Sequence, residues 1–132
     1  MKISFVNGCF DVLHPGHIEL LKYARSLGDY LIVAIDSDRK VAEMKGPDRP
    51  IFSQSDRSYM LKEIQCVDVV HIFDTKEELE GLLDSIRPDT LVVGSDWKGK
   101  EVVGAQYAKE VKFYDRVGEY STTKTLQGVA YR

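Results

Sequence analysis

The chain has 132 residues, of which 43% are hydrophobic and 30% are charged, which is typical of one globular domain and excludes an intrinsically disordered chain. Its 18 basic and 21 acidic residues give a formal net charge of −3, so the protein is not expected to bind nucleic acid through general charge attraction. No apolar run approaches the roughly 20 residues that a membrane-spanning helix requires, and Cys9 and Cys66 form no CxxC pair, so we expect a reduced, cytoplasmic protein with no membrane contact.

Five apolar segments of strand length are separated by segments with helical periodicity. The predicted strands cover residues 2–7, 30–36, 69–73, 90–93 and 111–114. The second strand is apolar at five consecutive positions rather than at alternate ones, as expected for a strand that is covered on both faces.

Three of the segments between strands carry apolar residues at helical spacing. The stripes are Leu20, Ala24 and Leu27 in the first, Met60, Ile64 and Val67 in the second, and Leu79, Leu82, Leu83 and Ile86 in the third. Gly28 is placed to end the first helix and Pro88 to end the third. Residues 37–50 are polar and basic without such a stripe, and we predict a long loop there.

Strands that alternate with helices predict right-handed βαβ units and an α/β fold. We therefore expect one Rossmann-like domain over residues 1–132, with three layers: a five-stranded parallel sheet and helices on both of its faces. In such open sheets the ligand crevice lies beyond the carboxyl ends of the strands, where the strand order reverses. Functional residues should accordingly follow strand ends.

The loop after the first strand carries two histidines close to a glycine and a proline. Gly8 allows the backbone to approach a ligand closely, and the start of the following helix offers unpaired N–H groups and a partial positive charge. Pro15 favours a helix start at this point. His14 and His17 would both lie at that start, where two imidazoles can donate hydrogen bonds to the oxygens of one phosphate.

Two other interpretations of these histidines are open. Each could be an ordinary polar surface residue, or the two together could bind zinc. A zinc site needs further ligands at suitable spacing, and no other cysteine or histidine in the chain provides them. Two histidines three residues apart, at a helix start after the first strand, favour phosphate chemistry.

Residues 8–17 resemble the H-x-G-H motif region of the cytidylyltransferase-like nucleotidyltransferases. The resemblance implies that His14 and His17 are catalytic. They would stabilise the transition state while an acceptor phosphate attacks the α-phosphorus of a nucleoside triphosphate and pyrophosphate leaves. The resemblance also assigns nucleotide contacts to Gly8, Cys9 and Phe10, and an acceptor contact to Asp11.

Other parts of the chain extend the resemblance. Lys45 looks like the lysine that supports the transferring phosphates, and it is the third implied catalytic residue. Asp38 and Arg57 look like acceptor contacts. Asp96 and Trp97 look like groups that border the nucleotide.

Residues 116–124 resemble the second motif of the family, an arginine followed by a Ser-Thr-Thr run that opens the last helix. The nucleotide contacts implied there are Arg116, Ser121, Thr122, Thr123 and Lys124. Hydroxyl groups at a helix start bind anions together with backbone N–H groups. Ser121 or Thr122 could also be a plain N-cap, and the two roles are compatible.

The implied reaction transfers NMP from an NTP to a phosphorylated sugar or polyol and releases pyrophosphate. Mg²⁺ is expected on the triphosphate, bridging its oxygens, with few ligands from the protein. Members of the family are commonly dimers, so a homodimer is expected. A non-catalytic, nucleotide-binding regulatory module on the same fold is the alternative from another class.

Two branches of the family fit the sequence. Segments 46–50, 86–89 and 102–105 look like the D-glycero-D-manno-heptose 1-phosphate adenylyltransferases, which use ATP. Trp97 and residues 121–124 look like glycerol-3-phosphate cytidylyltransferase, which uses CTP. We favour the heptose branch because its matches are more numerous, although the Lys-Gly-Gly-Asp segment of that branch is Val-Gly-Ser-Asp here, at residues 93–96.

Overall fold

The computed structural model of the protein describes residues 1–115. The strands are β1 (Ile3–Gly8), β2 (Tyr30–Asp36), β3 (Val69–Phe73), β4 (Thr90–Gly94) and β5 (Glu110–Tyr114). The helices are α1 (Pro15–Ser26), α2 (Asp38–Lys45), α3 (Gln54–Lys62) and α4 (Lys76–Ile86), with 3₁₀ turns at Ser95–Trp97 and Ala105–Tyr107. Each predicted strand is confirmed to within one residue at either end. No helix in the described part of the chain is both long and apolar enough to span a bilayer.

The five strands form one parallel sheet in the order β3-β2-β1-β4-β5, which confirms the predicted architecture. β1 pairs with both β2 and β4, so that Val6 lies between Val33 and Val92. The strand order therefore reverses at β1, and the carboxyl ends of all five strands meet at one edge of the sheet.

Helices cover both faces of the sheet and bury two apolar clusters. One cluster joins Val6 of β1 to Leu21 of α1 and to Leu61 of α3. The other joins Phe5 of β1 to Leu83 of α4. Successive residues of β1 thus point to opposite faces, which explains why the buried strands read as continuous apolar runs.

Part of the segment that we predict as a loop is helical. α2 occupies Asp38–Lys45, and Ser37 caps it by accepting a hydrogen bond from the backbone N–H of Lys40. The prediction fails because Val41 is the one residue of this helix that is fully buried, so no apolar stripe marks it in the sequence.

The second predicted stripe is longer than its helix. α3 ends at Lys62, and Ile64 and Val67 lie beyond it, although both pack in the apolar cluster next to α1. The buried residues of α3 itself are Arg57, Ser58 and Leu61. A charged and a hydroxyl residue therefore occupy the inner face of α3, where periodicity leads one to expect apolar side chains.

Two glycines near α4 offer a matched test of the packing. Gly104 has φ of +79°, and a Cβ there would lie 2.2 Å from the Cδ1 of buried Leu83. We expect Gly104→Ala to lower the free energy of unfolding by about 2–4 kcal/mol. The alanine would be strained in the left-handed backbone conformation, and its Cβ would also overpack the side chain of Leu83. Gly81→Ala, inside α4 with nothing within 4 Å, should raise it by about 0.5–1 kcal/mol. Urea denaturation measures both, and equal effects would contradict the described packing.

Candidate functional site

The loop that follows β1 has a conformation that ordinary residues rarely adopt. Phe10 and Val12 both have φ of 53°, in the left-handed region where a β-branched residue such as valine is an outlier. Such residues cost of order 1–3 kcal/mol each and persist only where the surrounding structure imposes them. The loop therefore depends on contacts from other segments.

Asp11, between these two residues, provides part of that support. Its buried carboxylate accepts hydrogen bonds from the backbone N–H groups of Ile51 (2.7 Å) and Phe52 (2.9 Å). The Arg49 Nε lies 3.5 Å from the same carboxylate and balances its charge. The structure thus gives Asp11 a role inside the protein, and its expected contact with an acceptor stays a prediction.

Arg57 provides further support for the loop after β1. Its side chain has no exposed surface. The guanidinium donates hydrogen bonds to the carbonyl oxygens of Cys9 (2.9 Å) and Asp36 (2.8 Å). It also bonds to the carbonyl of Phe52 (3.0 Å) and to the carboxylate of Asp38 (2.9 Å). Because these bonds lie in the interior, Arg57 positions the site, and its contact with an acceptor stays a prediction.

Asp38 begins α2 and connects it to α3. Its carboxylate accepts a hydrogen bond from the backbone N–H of Gln54 (2.6 Å) as well as from Arg57, and its own backbone N–H donates to the Gln54 side chain (2.9 Å). The Asp38 side chain is 44% exposed, so it is open to solvent on one side. Its contact with an acceptor stays a prediction.

His14 and His17 lie side by side at the start of α1. His14 is the N-cap, and its Nδ1 accepts a hydrogen bond from the backbone N–H of Gly16 at 3.1 Å. The Nδ1 of His17 accepts one from the backbone N–H of His14, also at 3.1 Å. The two rings are stacked, with centroids 3.8 Å apart and planes inclined by 22°. The structure therefore brings these two predicted residues together.

These hydrogen bonds decide which nitrogen of each neutral ring carries the proton. Because a backbone N–H group donates to Nδ1, the proton of the neutral imidazole is on Nε2. Each ring then offers an N–H donor next to the partial positive charge of a helix N-terminus. Two such donors suit a phosphate, and most of all one that gains negative charge during a reaction.

The ring of Phe10 packs against the ring of His17. It is buried, and its ring centroid lies 5.4 Å from that of His17. A Cβ on Gly8 would lie 3.1 Å from the Phe10 ring, so glycine at position 8 lets this ring pack closely. The nucleotide contacts implied for Gly8 and Phe10 stay predictions.

A cavity of about 320 Å³ lies at the carboxyl edge of the sheet. Gly8 of β1, Asp36 of β2 and Gly94 of β4 line it, and the lysines of its wall are Lys40 and Lys76. Most of the remaining lining is apolar. This is the place where the fold predicts a ligand, next to the reversal of strand order.

A second space, an open groove, is lined in part by residues of the loop after β1 and of α1. Leu13, His14 and Ile18 are among its lining residues. His14 thus borders the groove, whereas Gly8, from the same loop, borders the cavity. The loop with the two histidines therefore adjoins two separate spaces that could each hold a ligand.

Lys45 and Cys9 lie near one another at this edge. Burial raises the pKa of the Cys9 thiol, and the positive charges of Lys45 and Arg57 oppose this effect. The thiol therefore stays protonated at neutral pH and is a poor nucleophile. The structure brings Lys45 to the loop, as a phosphate-supporting lysine requires, while its catalytic role and the nucleotide contact of Cys9 stay predictions.

Asp96 and Trp97 directly follow β4, in the 3₁₀ turn Ser95–Trp97. Trp97 lines the cavity and is 49% exposed, so it is not a core residue. Lys100 places its Nζ 6.0 Å from the Trp97 ring. Both residues are at the predicted edge of the sheet, and their contacts with a nucleotide stay predictions.

Five predicted nucleotide contacts lie outside the described residues: Arg116, Ser121, Thr122, Thr123 and Lys124. Sequence analysis in turn missed Asp36, Lys40 and Lys76, which line the cavity. A signal for Asp36 was present, since it is the polar residue that ends an apolar strand. Lys40 was hidden by the prediction of a loop in place of α2.

A family model described as cytidylyltransferase-like matches residues 5–126. The bifunctional protein HldE of Sulfurimonas denitrificans is 47% identical over 128 residues, and HldE of Helicobacter pylori strain Shi470 is 41% identical over 128 residues. Each alignment covers 97% of this chain and 27% of the relative. The chain therefore spans about a quarter of the length of the HldE proteins that it matches.

Solved structures show the same fold. A lipopolysaccharide core biosynthesis protein from Thermoplasma volcanium has a TM-score of 0.66 at 24% identity, covering 92% of this chain and 99% of its own. Thermotoga maritima TmcAL bound with alpha-thio ATP has a TM-score of 0.70 at 15% identity, covering 99% of this chain and half of its own.

Arg57→Met tests the positioning role of the buried guanidinium. The variant leaves the carbonyl oxygens of Cys9, Asp36 and Phe52 without their donor, and we expect the free energy of unfolding to fall by about 3–5 kcal/mol. Arg39→Met is the matched control, because Arg39 is an exposed arginine that pairs with carboxylates and its loss should barely move the urea midpoint. A stable Arg57 variant would contradict the role given to this residue.

Proposed function

The chain belongs to the cytidylyltransferase-like family, and on this basis we propose that it is a nucleotidyltransferase that transfers NMP from an NTP to a phosphorylated sugar and releases pyrophosphate. The observation that carries the proposal is the stacked pair His14 and His17 at the start of α1, with both Nδ1 atoms accepting backbone hydrogen bonds. An electron carrier or a simple binding module has no need of two aligned imidazole donors at a helix start.

We propose a heptose 1-phosphate as the acceptor and ATP as the nucleotide. The similarity to HldE proteins, at 41–49% identity over nearly the whole chain, supports this heptose-phosphate type of adenylyltransferase. The name of the T. volcanium protein, a lipopolysaccharide core biosynthesis protein, agrees with a sugar acceptor. The departure at residues 93–96 makes the acceptor the first thing to test.

Two separate spaces that both border the loop after β1 suit a reaction between two substrates. Transfer at phosphorus places the attacking and the leaving oxygen roughly in line, on opposite sides of the phosphorus atom. We therefore place the nucleotide in the groove, next to His14, and the acceptor in the cavity, next to Gly8. In this arrangement Gly8 and Trp97, which line the cavity, contact the acceptor and not the nucleotide. The α-phosphate then lies at the loop, within reach of the histidines.

In this arrangement the histidines act on charge and not as bases. Each Nε2–H donates to an oxygen of the α-phosphate, and the bond strengthens as the phosphorus becomes five-coordinate and its oxygens gain charge. Lys45, at the end of α2, adds a positive charge near the loop. The acceptor phosphate is already ionised at neutral pH, so the reaction needs no residue to remove a proton.

Mg²⁺ enters this proposal as part of the nucleotide substrate, neutralising the triphosphate and assisting the departure of pyrophosphate. Residues 1–115 contain no group of three or more histidine, cysteine, aspartate or glutamate side chains arranged to hold a metal ion. In this proposal the triphosphate oxygens and water supply most of its ligands. The cytoplasmic location and the homodimer stay predictions. Size-exclusion chromatography tests the homodimer.

Pyrophosphate release across the four NTPs and a panel of phosphorylated acceptors tests the proposed activity. We expect release with ATP and D-glycero-D-manno-heptose 1-phosphate, and little with the other NTPs. Release with CTP and glycerol 3-phosphate alone would contradict the heptose assignment. Binding of ATP without release under any combination would favour the non-catalytic module.

His17→Asn tests the catalytic role of the histidine pair. The asparagine Oδ1 can replace Nδ1 as the acceptor for the backbone of His14, while the Nε2–H donor is lost. We expect kcat to fall about a hundredfold or more, the scale for losing one donor to a transition state, with the melting temperature nearly unchanged. His71→Asn, on the exposed side of β3, is the control and should keep full activity. Unchanged kcat in the His17 variant would remove it from the mechanism.

A further inference from the structure

The cavity contains one carboxylate that the proposed reaction does not use. Asp36 ends β2 and lines the cavity, and its side chain is 10% exposed. The nearest opposite charge within residues 1–115 is the Nζ of Lys40, 4.0 Å from Oδ1. That distance is too long for a hydrogen bond, so the oxygens of Asp36 face the cavity without a close side-chain donor in the described chain.

This carboxylate is costly to keep ionised. Burial raises the pKa of Asp36 above its ordinary value of 3.8, although the positive charges of Lys40, Arg57 and Lys45 oppose the effect. A group whose pKa is raised in the folded state reduces stability at every pH above that raised pKa. The fold does not need the charge of Asp36, because Arg57 bonds to its backbone carbonyl and not to its side chain.

The chemistry of the cavity indicates what such a carboxylate binds. A carboxylate repels phosphate and accepts hydrogen bonds from hydroxyl groups, and a buried one does so strongly. The rest of the cavity lining is largely apolar and aromatic, and it includes Phe73, Leu79 and Trp97. A sugar offers both hydroxyl groups and C–H groups to such a lining, and a triphosphate offers neither. The ribose of the nucleotide is the rival occupant, and the kinetic test below distinguishes it from the sugar of the acceptor.

We propose that Asp36 is the residue that selects the acceptor, by accepting hydrogen bonds from the hydroxyl groups of its sugar body. The proposal rests on the proposed function, since it assumes that the cavity holds the acceptor. The acceptor phosphate then lies towards Gly8 and the histidines, and the sugar extends from there towards β2. Lys40 and Lys76 also line the cavity, and in this proposal they bind further oxygens of the acceptor.

Steady-state kinetics with two variants tests the proposal. Asp36→Asn keeps the shape but loses the charge, and Asp36→Leu keeps a similar volume without any acceptor atom. We expect the KM for heptose 1-phosphate to rise about 10-fold in the first and about 100-fold in the second, the usual scale for hydrogen bonds to a charged group. The KM for MgATP should stay within about twofold, because the proposal places ATP in the groove and not in the cavity.

Glu43→Gln is the matched control, since Glu43 is an exposed carboxylate of α2 that pairs with Arg39. It should leave both KM values unchanged. A rise in the KM for MgATP, with that for the acceptor unchanged, would overturn the proposal and indicate that Asp36 acts on the metal–nucleotide complex. Unchanged values in both Asp36 variants would also overturn it.

Direct binding separates this proposal from the proposed function. The shift in melting temperature that heptose 1-phosphate causes in the absence of nucleotide should be present in the wild type and absent in Asp36→Leu. If the wild type shows this shift but releases no pyrophosphate, the proposed reaction fails and the role of Asp36 holds. If the wild type is active and Asp36→Leu still shows the full shift, the role of Asp36 fails and the reaction holds.

The urea midpoint of Asp36→Asn gives a further test, because a merely structural role for the carboxylate would make the variant less stable than the wild type. Because the ionised carboxylate is costly, Asp36→Asn should have a higher urea midpoint than the wild type at pH 7. The difference should shrink as the pH falls towards 3.8 and Asp36 gains its proton. A variant that is less stable than the wild type at pH 7 would show that the fold needs the charge, and would overturn the proposal.

Discussion

Arg57 lies in the interior and bonds to main-chain carbonyls of two segments that define the candidate site. One is Cys9, in the loop that leads to the histidines, and the other is Asp36, at the end of β2. The guanidinium reaches both because its donors lie in one rigid plane, which the single ammonium of a lysine does not offer. The same group bonds to Asp38 at the start of α2. The loop, the cavity wall and α2 thus keep their relative positions through one buried charge.

The hydrogen bonds of Arg57 to Cys9, Asp36 and Asp38 form a fixed frame, and this frame explains how the loop after β1 tolerates its unusual backbone. Left-handed residues such as Phe10 and Val12 would relax in an isolated peptide. Here the loop is held at Cys9 by Arg57 and at Asp11 by two backbone N–H groups. The strain is thereby offset by buried hydrogen bonds, and its consequence is that α1 begins where the two imidazoles can stack.

The parts of this structure that the sequence predicts are those that depend on local patterns. Parallel strands covered on both faces are continuous apolar runs, and the start of α1 is marked by Pro15 after His14. Arg57 lies outside such reasoning, because its partners Cys9 and Asp36 are 48 and 21 residues away along the chain. An arginine is normally exposed, so only the three-dimensional arrangement of carbonyl groups shows that this one is buried. The helix α2 was missed for a related reason, since most of its residues face solvent.

Asp36 shows how this fold can separate structure from selectivity at a single residue. Its backbone carbonyl belongs to the frame, because Arg57 donates to it, whereas its side chain belongs to the cavity. Any residue at position 36 presents the same carbonyl, so the side chain is free to change without loss of that hydrogen bond. A residue of this kind can adapt the cavity to a new acceptor while the histidine pair stays in place. The buried carboxylate at this position lowers the stability of the fold, and neither the sheet nor the loop after β1 requires it. In return, its side chain selects the acceptor.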